Sequence, residues 1–448
     1  MREQLHPKRA IRNHTELAWR AWRVLRQNDA GGWTKPGPTL YPHQWSWDSA
    51  FIAIGLAQFD LGRAARELET LFAHQWSSGK VPHIVFDPNV SPGSYFPGPD
   101  YWDHAGNALD VPHNTSGLCQ PPVHALAALR IRKKAREPEE ISFARGFLRS
   151  IYPGLFAWHR YLMTIRDPEG SGLVTIFHPW ESGTDNSPRW DGALSAVKVE
   201  GMSPYTRRDL QHVGDTSERP TDTEYDRYLW LVESMKRLRC DDRAIYQSHP
   251  FLVKDVLFSS ILVAANEALL EIAHTIGAPE EERAEIQGWA ERGLLGLESL
   301  WNPELGLYLD YDLRRGRRLR SLTVAGFAPL IAGHMEPGRR EALLETFDSP
   351  VFAGNPDLRW SLPPSTPAQT TPGSIPAATG AARLGRSSTG SCGGRCGVTV
   401  KWSGQSSSAG NRWHRSPTAG SGSTSTPSPD ARSAPAISLG PPPLPWIG

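Results

Sequence analysis

One segment near the middle of the chain concentrates side chains that could carry out acid–base chemistry. Residues 178–191 hold three carboxylates (Glu181, Asp185 and Asp191), two tryptophans and an arginine among glycine and proline residues, which do not continue a helix. Hydrolysis of a glycosidic bond requires one protonated carboxyl group and a second carboxylate that acts as base or nucleophile. Because a tryptophan-lined pocket raises a carboxyl pKa by desolvation, the segment indicates a glycosidase site. The alternative is that its acids are surface groups or helix caps.

A second cluster, residues 41–48, combines Trp45, Trp47 and Asp48 immediately before an apolar run that predicts a helix. Tryptophan stacks on the apolar face of a sugar ring, and a carboxylate accepts hydrogen bonds from sugar hydroxyls. The cluster is therefore a candidate sugar clamp. Asp48 could equally be the N-cap of the helix, since aspartate is favoured there.

A third region, residues 207–225, is rich in arginine. Loop arginines such as Arg207, Arg208 and Arg219 could hold a substrate carboxylate in a bidentate geometry, although exposed surface arginines are the commoner outcome.

The composition narrows the class of protein. The 17 tryptophans lie mostly in predicted loops, which suits sugar recognition. The net charge of +1 gives no reason to expect nucleic acid or membrane partners. Four unevenly spaced cysteines do not form a disulfide or zinc pattern, and residues 1–23 lack the apolar core of a secretory signal, so a cytoplasmic location is expected.

Helical periodicity alternates with glycine-, proline- and aromatic-rich connectors from residue 14 to about 348, and strand signals are few. Helix pairs joined by unequal loops predict an all-α toroid with function in its longer loops. A helical solenoid is the alternative, but no fixed repeat supports it. The helices are predicted to begin near Thr15, Asp48, Gly62, Thr115, Glu139, Thr221, Lys254, Pro279 and Arg339.

The sequence resembles glycoside hydrolase family 63, in its bacterial mannosylglycerate and glucosylglycerate hydrolase branch, and is more distantly similar to trehalases. The resemblance covers about residues 14–362, and we treat residues 1–362 as one truncated domain. Its motifs are Trp45-Ser46-Trp47-Asp48, Gln120-Pro121-Pro122, the segment 180–191, and Arg219-Pro220-Thr221 with Tyr225.

This resemblance implies an (α/α)6 barrel and inversion at the anomeric carbon. No motif of the sequence implies a metal or organic cofactor. Asp185 would be the general acid, and Arg219 and Tyr225 would lie near the aglycone carboxylate. The segment 95–102 looks like a mobile lid. The residues that would line the sugar subsite are Tyr41, Trp45, Trp47, Asp48, Gln120, Trp180 and Gly183.

The chain departs from the family pattern in its last part. Residues 363–448 contain one acidic residue against seven basic ones, and no glutamate follows Glu345, although the family places its base on a Glu-Tyr segment near the C-terminus. Translation in a shifted frame permits a Trp-Arg-Gly-Pro-Ala-Trp segment within 374–396 and a Glu-Tyr-Phe-Asp-Pro segment within 422–440. We interpret 363–448 as a low-complexity, out-of-frame tail that leaves the barrel incomplete and without its base.

The leading hypothesis is an inverting hydrolase that cleaves glucosylglycerate or mannosylglycerate to the sugar and D-glycerate. Within enzymes, the alternative is a trehalase-like or oligosaccharide-trimming glucosidase. Two other classes are a catalytically dead sugar-binding remnant, because the encoded chain lacks the base, and a protein whose basic tail binds nucleic acid.

Overall fold

The computed structural model describes residues 14–354 except for 92, 103–110 and 213–218. The predicted domain boundary at residue 362 and the tail 363–448 lie outside this part of the chain. The α-helices are α1 (His14–Gln27), α2 (Ser46–Leu56), α3 (Leu61–Phe72), α4 (Pro99–Trp102), α5 (His124–Lys134), α6 (Pro138–Thr164), α7 (Asp191–Leu194), α8 (Asp222–Arg237), α9 (Asp242–Ser248), α10 (Val256–Ile276), α11 (Glu280–Ser299) and α12 (Pro337–Phe347). 3-10 helices cover Pro179–Ser182, Pro188–Trp190, Asp209–His212 and Val324–Ala332.

Strands are short and sit between the helices. They are β1 (Gln44–Trp45), β2 (Ile84–Val85), β3 (Thr175–Ile176), β4 (Val253–Lys254), β5 (Trp301–Asn302), β6 (Leu307–Tyr308), β7 (Tyr311–Asp312) and β8 (Arg317–Arg318). All pairings are antiparallel: β1 with β2, β5 with β6, and a sheet in the order β3-β4-β7-β8.

Antiparallel helix pairs build the core. The pairs α2–α3, α5–α6 and α10–α11 each pack together, and α5 contacts both α2 and α10. One large cluster of buried apolar side chains runs through these pairs. This mainly α arrangement agrees with the predicted toroid of helical hairpins.

Most predicted helix starts are confirmed within a few residues, and one is wrong. Thr221 caps α8 with a reciprocal hydrogen-bond pair to Glu224, as the acidic residues after Pro220 suggested. The helix predicted near Thr115 begins only at His124, because the intervening Pro121-Pro122 holds the chain extended.

Helix α10 is long and apolar enough to cross a membrane by length and composition alone. Within the protein, however, 72% of its apolar window is buried. It contacts α5, α6 and α11, so it is the central helix of the core.

Candidate functional site

The segment 178–191 folds as a compact loop beside α8, as its glycines and prolines predicted. His178 organises its first turn, because its Nδ1 accepts a hydrogen bond from the Trp180 N–H at 3.0 Å. Its Nε2 lies 3.0 Å from the Tyr228 carbonyl oxygen of α8. Burial lowers the pKa of His178 to about 4, so the ring is neutral and can accept at one nitrogen while it donates at the other.

Glu181 anchors the first half of this loop through buried hydrogen bonds. Both carboxylate oxygens bind the Arg166 guanidinium, at 2.7 and 2.8 Å, and they also accept hydrogen bonds from the N–H groups of Phe177 and Cys119. Burial by itself would raise the pKa of Glu181, but Arg166 and these donors outweigh it and lower the pKa to about 2. Glu181 is therefore charged at neutral pH and has a structural role rather than that of a catalytic acid.

Arg189 anchors the far end of the loop. Its Nη1 donates to both oxygens of Asp310, at 2.8 and 2.9 Å, and lies 3.5 Å from Asp255, the N-cap of α10. Its Nη2 donates to Thr184 Oγ1 at 2.8 Å. Two buried ion-pair clusters therefore fix the loop on both sides of the residues between them.

Asp185 lies between these anchors, and its partly buried side chain lines an open cavity. Desolvation raises its pKa to about 7, with the Asp48 carboxylate adding to the rise and Arg219 opposing it. A carboxyl group with this pKa is substantially protonated near neutrality and can donate a proton. Asp191, by contrast, is exposed at the start of α7, which fits the alternative of a surface group.

The first turn of α2 carries Trp47 and Asp48 beside Asp185. The helix begins at Ser46 with Trp45 as its N-cap, so the alternative that Asp48 is the N-cap is wrong. Burial raises the pKa of Asp48 to about 6. The Trp47 N–H donates to Gln120 Oε1 at 3.3 Å, which joins two of the predicted sugar-contacting segments.

Gly183 is required by its backbone conformation and by its neighbour. Its φ of +71° is unfavourable for residues with a Cβ, and an added Cβ would lie 2.3 Å from the Trp47 indole. The direct contact between this backbone and the indole therefore depends on glycine.

We expect Gly183→Ala to lower the free energy of unfolding by roughly 2–4 kcal/mol, because backbone strain and overpacking both contribute. It should also displace Trp47 and reduce substrate affinity. Gly170→Ala is the matched control, since Gly170 has a φ of +70° but no atom within 4 Å of an added Cβ. Urea denaturation of both variants measures the difference, and equal losses would contradict the role of the Trp47 contact.

Aromatic side chains form one wall of the cavity. Tyr95 packs edge-on against Trp45, with ring centroids 5.3 Å apart, and Phe96 stacks on Tyr205 at 5.9 Å. Tyr95 and Phe96 belong to the segment 95–102, and both line the cavity, so this segment covers part of it. Its predicted movement as a lid remains a prediction.

Another part of the lining carries positive charge. The Nε of Arg219 lies 3.7 Å from Asp209, and the charge of Arg219 opposes the rise in the pKa of Tyr41. Asp209 is already bound in a bidentate geometry by Arg207, at 2.8 and 3.1 Å. Burial raises the pKa of Tyr41 and of Tyr225, so both phenols stay protonated and available as hydrogen-bond donors.

The cavity brings together most of the predicted site residues. It encloses about 770 Å³ including its open mouth. The predicted residues that line it are Tyr41, Trp45, Gln120, Trp180, Asp185, Arg219 and Tyr225. Trp47, Asp48 and Gly183 are not part of this lining, but they adjoin it through the Trp47–Gly183 contact and the electrostatic coupling of Asp48 to Asp185.

Some lining residues were not assigned to the site from the sequence. Asn186 and Asp209 lie in segments that the sequence singled out, so their residue types were the available signal. Arg208 was considered only as one of several loop arginines that could hold a carboxylate. His83 had no such signal, because it is a lone histidine in an apolar stretch. It is buried and neutral, with a pKa lowered to about 3 by burial, and its Nδ1 bonds Ser116 Oγ.

Comparison with known proteins identifies relatives of the whole helical region. Residues 41–370 match the mannosylglycerate hydrolase MGH1-like glycoside hydrolase domain. The chain is 44% identical to glucosylglycerate hydrolase of Mycolicibacterium hassiacum, over 79% of each chain. It is 45% identical to mannosylglycerate hydrolase of Thermus thermophilus, over 73% of this chain and 76% of the relative.

Solved structures give the same result for the fold. A crystal structure of the family 63 mannosylglycerate hydrolase of Thermus thermophilus in complex with Tris superposes with a TM-score of 0.71 at 43% identity, covering 80% of this chain and 81% of the other. Its complex with Tris and D-glycerate gives a TM-score of 0.68 at 42% identity, over 75% and 81% of the two chains. The chain therefore belongs to the MGH1-like glycoside hydrolases of family 63, with their (α/α)6 fold.

Proposed function

We propose that this protein is built to hydrolyse a small α-glycoside of D-glycerate, glucosylglycerate or mannosylglycerate, to the sugar and D-glycerate. The observation that carries the proposal is the position of Asp185. Its pKa is raised to about 7, and it lies on a cavity lined by aromatic rings and by Arg219. The glucosylglycerate and mannosylglycerate hydrolases among the relatives support the same substrate class.

Asp185 would protonate the glycosidic oxygen while a water molecule attacks the anomeric carbon from the opposite face under a carboxylate base, with inversion. Trp45, Trp180 and Gln120 would contact the sugar ring, assisted by Asp48 beside the acid. Desolvation of Asp185 is the physical reason that it could serve as a proton donor near neutral pH.

The glycerate end of the substrate would lie against Arg219 and Tyr225, and we propose that Tyr41, predicted for the sugar subsite, also reaches it because all three line the same cavity. A guanidinium offers two donors to a carboxylate, and the two neutral phenols add O–H donors without adding charge. We propose this wall as the aglycone subsite.

The catalytic base would come from the region that we interpret as out of frame. Among the described residues that line the cavity, the other carboxylate is Asp209, and Arg207 and Arg219 neutralise it. An inverting hydrolase needs a free carboxylate to activate water. The encoded chain is therefore expected to bind substrate but to turn it over poorly.

Exposed apolar side chains support an incomplete barrel. Phe51 and Phe59, from the α2 region, are 44% and 45% exposed, and Ile331 and Leu344, near α12, are 39% and 45% exposed. Helices of a closed barrel bury such faces against a neighbour. Further C-terminal helices would cover them.

Restoring the reading frame between codons 362 and 374 tests substrate and base together. We expect the frame-corrected chain to release glucose from glucosylglycerate or mannose from mannosylglycerate, and the encoded chain to be at least about 100-fold slower because the base is missing. Coupled sugar assays with trehalose as a third substrate measure this.

Two results would count against the proposal in different ways. A corrected chain that hydrolyses trehalose but neither glycerate glycoside would refute the substrate. Equal activity of the two chains would refute the assignment of the base to the shifted frame.

We further propose a cytoplasmic location. The buried cysteines of the described chain, Cys119 and Cys240, are free thiols, as expected in a reducing compartment.

A further inference from the structure

Arg208 is a second cation on the cavity, distinct from Arg219 in its surroundings. It lines the cavity close to the segment that carries Tyr95, since a Cβ at Gly93 would lie 3.8 Å from Arg208 Nη2. No family motif described above includes it. Its position next to Arg207 would ordinarily suggest one shared structural role.

The three arginines of this region differ in their partners. Arg207 is fully engaged by Asp209, by Asp222 at 2.8 Å and by the Pro220 carbonyl oxygen. Arg219 shares Asp209, at 3.7 Å. For Arg208, in contrast, the described residues provide no carboxylate within 4 Å.

The net charge of the residues that line the cavity favours the binding of one anion. With Asp185 protonated, as catalysis requires, the lining carries the guanidinium groups of Arg208 and Arg219 and the carboxylate of Asp209. The lining then has a net charge of +1, which one substrate carboxylate would neutralise. Asp209 already neutralises part of the positive charge of Arg219. Arg208 is therefore the lining cation that has no carboxylate partner among the described residues.

We propose that Arg208 is a specificity-determining residue that selects an anionic aglycone over a neutral one, acting together with Arg219. This proposal rests on the proposed function. A guanidinium near Gly93 would add a further charge-assisted contact to the substrate carboxylate. Loss of one charge-assisted hydrogen bond typically weakens binding by about 10-fold or more.

Binding of D-glycerate and of glycerol, its neutral analogue, to the full encoded chain tests the proposal without requiring turnover. We expect Arg208→Gln to raise the Kd for D-glycerate by about 10-fold, with the Kd for glycerol changed by less than about twofold. Arg208→Lys should retain part of the affinity. The matched control is Arg145→Gln, which removes an exposed arginine of α6 and should change neither. Titration by calorimetry or ligand-observed NMR measures all four chains.

The outcomes separate this proposal from the proposed function. Unchanged D-glycerate affinity in Arg208→Gln, an equal loss for glycerol, or no D-glycerate binding by the unsubstituted chain would each overturn the role of Arg208. If the selective loss is found while the frame-corrected enzyme hydrolyses no glycerate glycoside, the role of Arg208 stands and the proposed reaction fails.

Discussion

Asp185→Asn, made in the frame-corrected chain, is expected to lower kcat for the glycerate glycoside by about 10²–10⁴-fold, the usual contribution of a general acid. Asparagine has nearly the same shape but cannot donate the proton, so substrate binding should change little. Asp191→Asn is the control, because Asp191 is exposed and belongs to the same segment. Steady-state kinetics on both variants make the comparison, and similar effects on kcat would show that the segment acts only structurally.

The pH dependence of the unsubstituted enzyme follows from the same residue. The protonated form of Asp185 is the donor, and burial raises its pKa to about 7. Activity should therefore fall as the pH rises through about 7, since the donor form is lost. A profile that stays flat up to pH 9 would contradict the assignment of Asp185 as the acid.

Glu181→Ala is expected to have the largest effect on stability, a loss of about 3–5 kcal/mol in the free energy of unfolding, because it leaves the Arg166 guanidinium buried without its bidentate partner. The loop that holds Asp185 should lose its lower anchor at the same time. Glu304→Ala is the control, since Glu304 pairs with Arg320 on the surface and is 71% exposed. Chemical denaturation at neutral pH measures both losses.

The pH dependence of stability provides a second readout for Glu181. Its folded pKa, about 2, is below the ordinary value of 4.5, so its contribution is present above pH 4.5 and is lost as the pH falls toward 2. The alanine variant should lack this part of the acid dependence. Identical acid unfolding curves for the two proteins would contradict the ion-pair argument.

These two carboxylates lie four residues apart and have opposite roles. Glu181 is paired with arginine and its pKa is lowered, whereas Asp185 faces a cavity and its pKa is raised. The first holds the loop so that the second can be positioned against a substrate. This difference supports our proposal that Asp185 is the catalytic acid of the segment.

Local sequence determined a substantial part of this protein. Glycine and proline made residues 178–191 a loop, the acidic residues after Pro220 and Pro279 marked the starts of α8 and α11, and the tryptophan-rich segments marked the cavity. These features depend on backbone conformation and on neighbours a few residues away, which a single sequence displays directly.

Only the tertiary structure decided which of the acids and arginines are held in buried ion pairs and which face the cavity. Arg189 binds Asp310 across 121 residues of chain, and Glu181 and Asp185 look alike in the sequence until Arg166 is placed beside one of them. The start of α5 and the position of Asp48 within α2 also required it. Burial and ion pairing depend on contacts between distant segments, and those contacts set the charge state of each group.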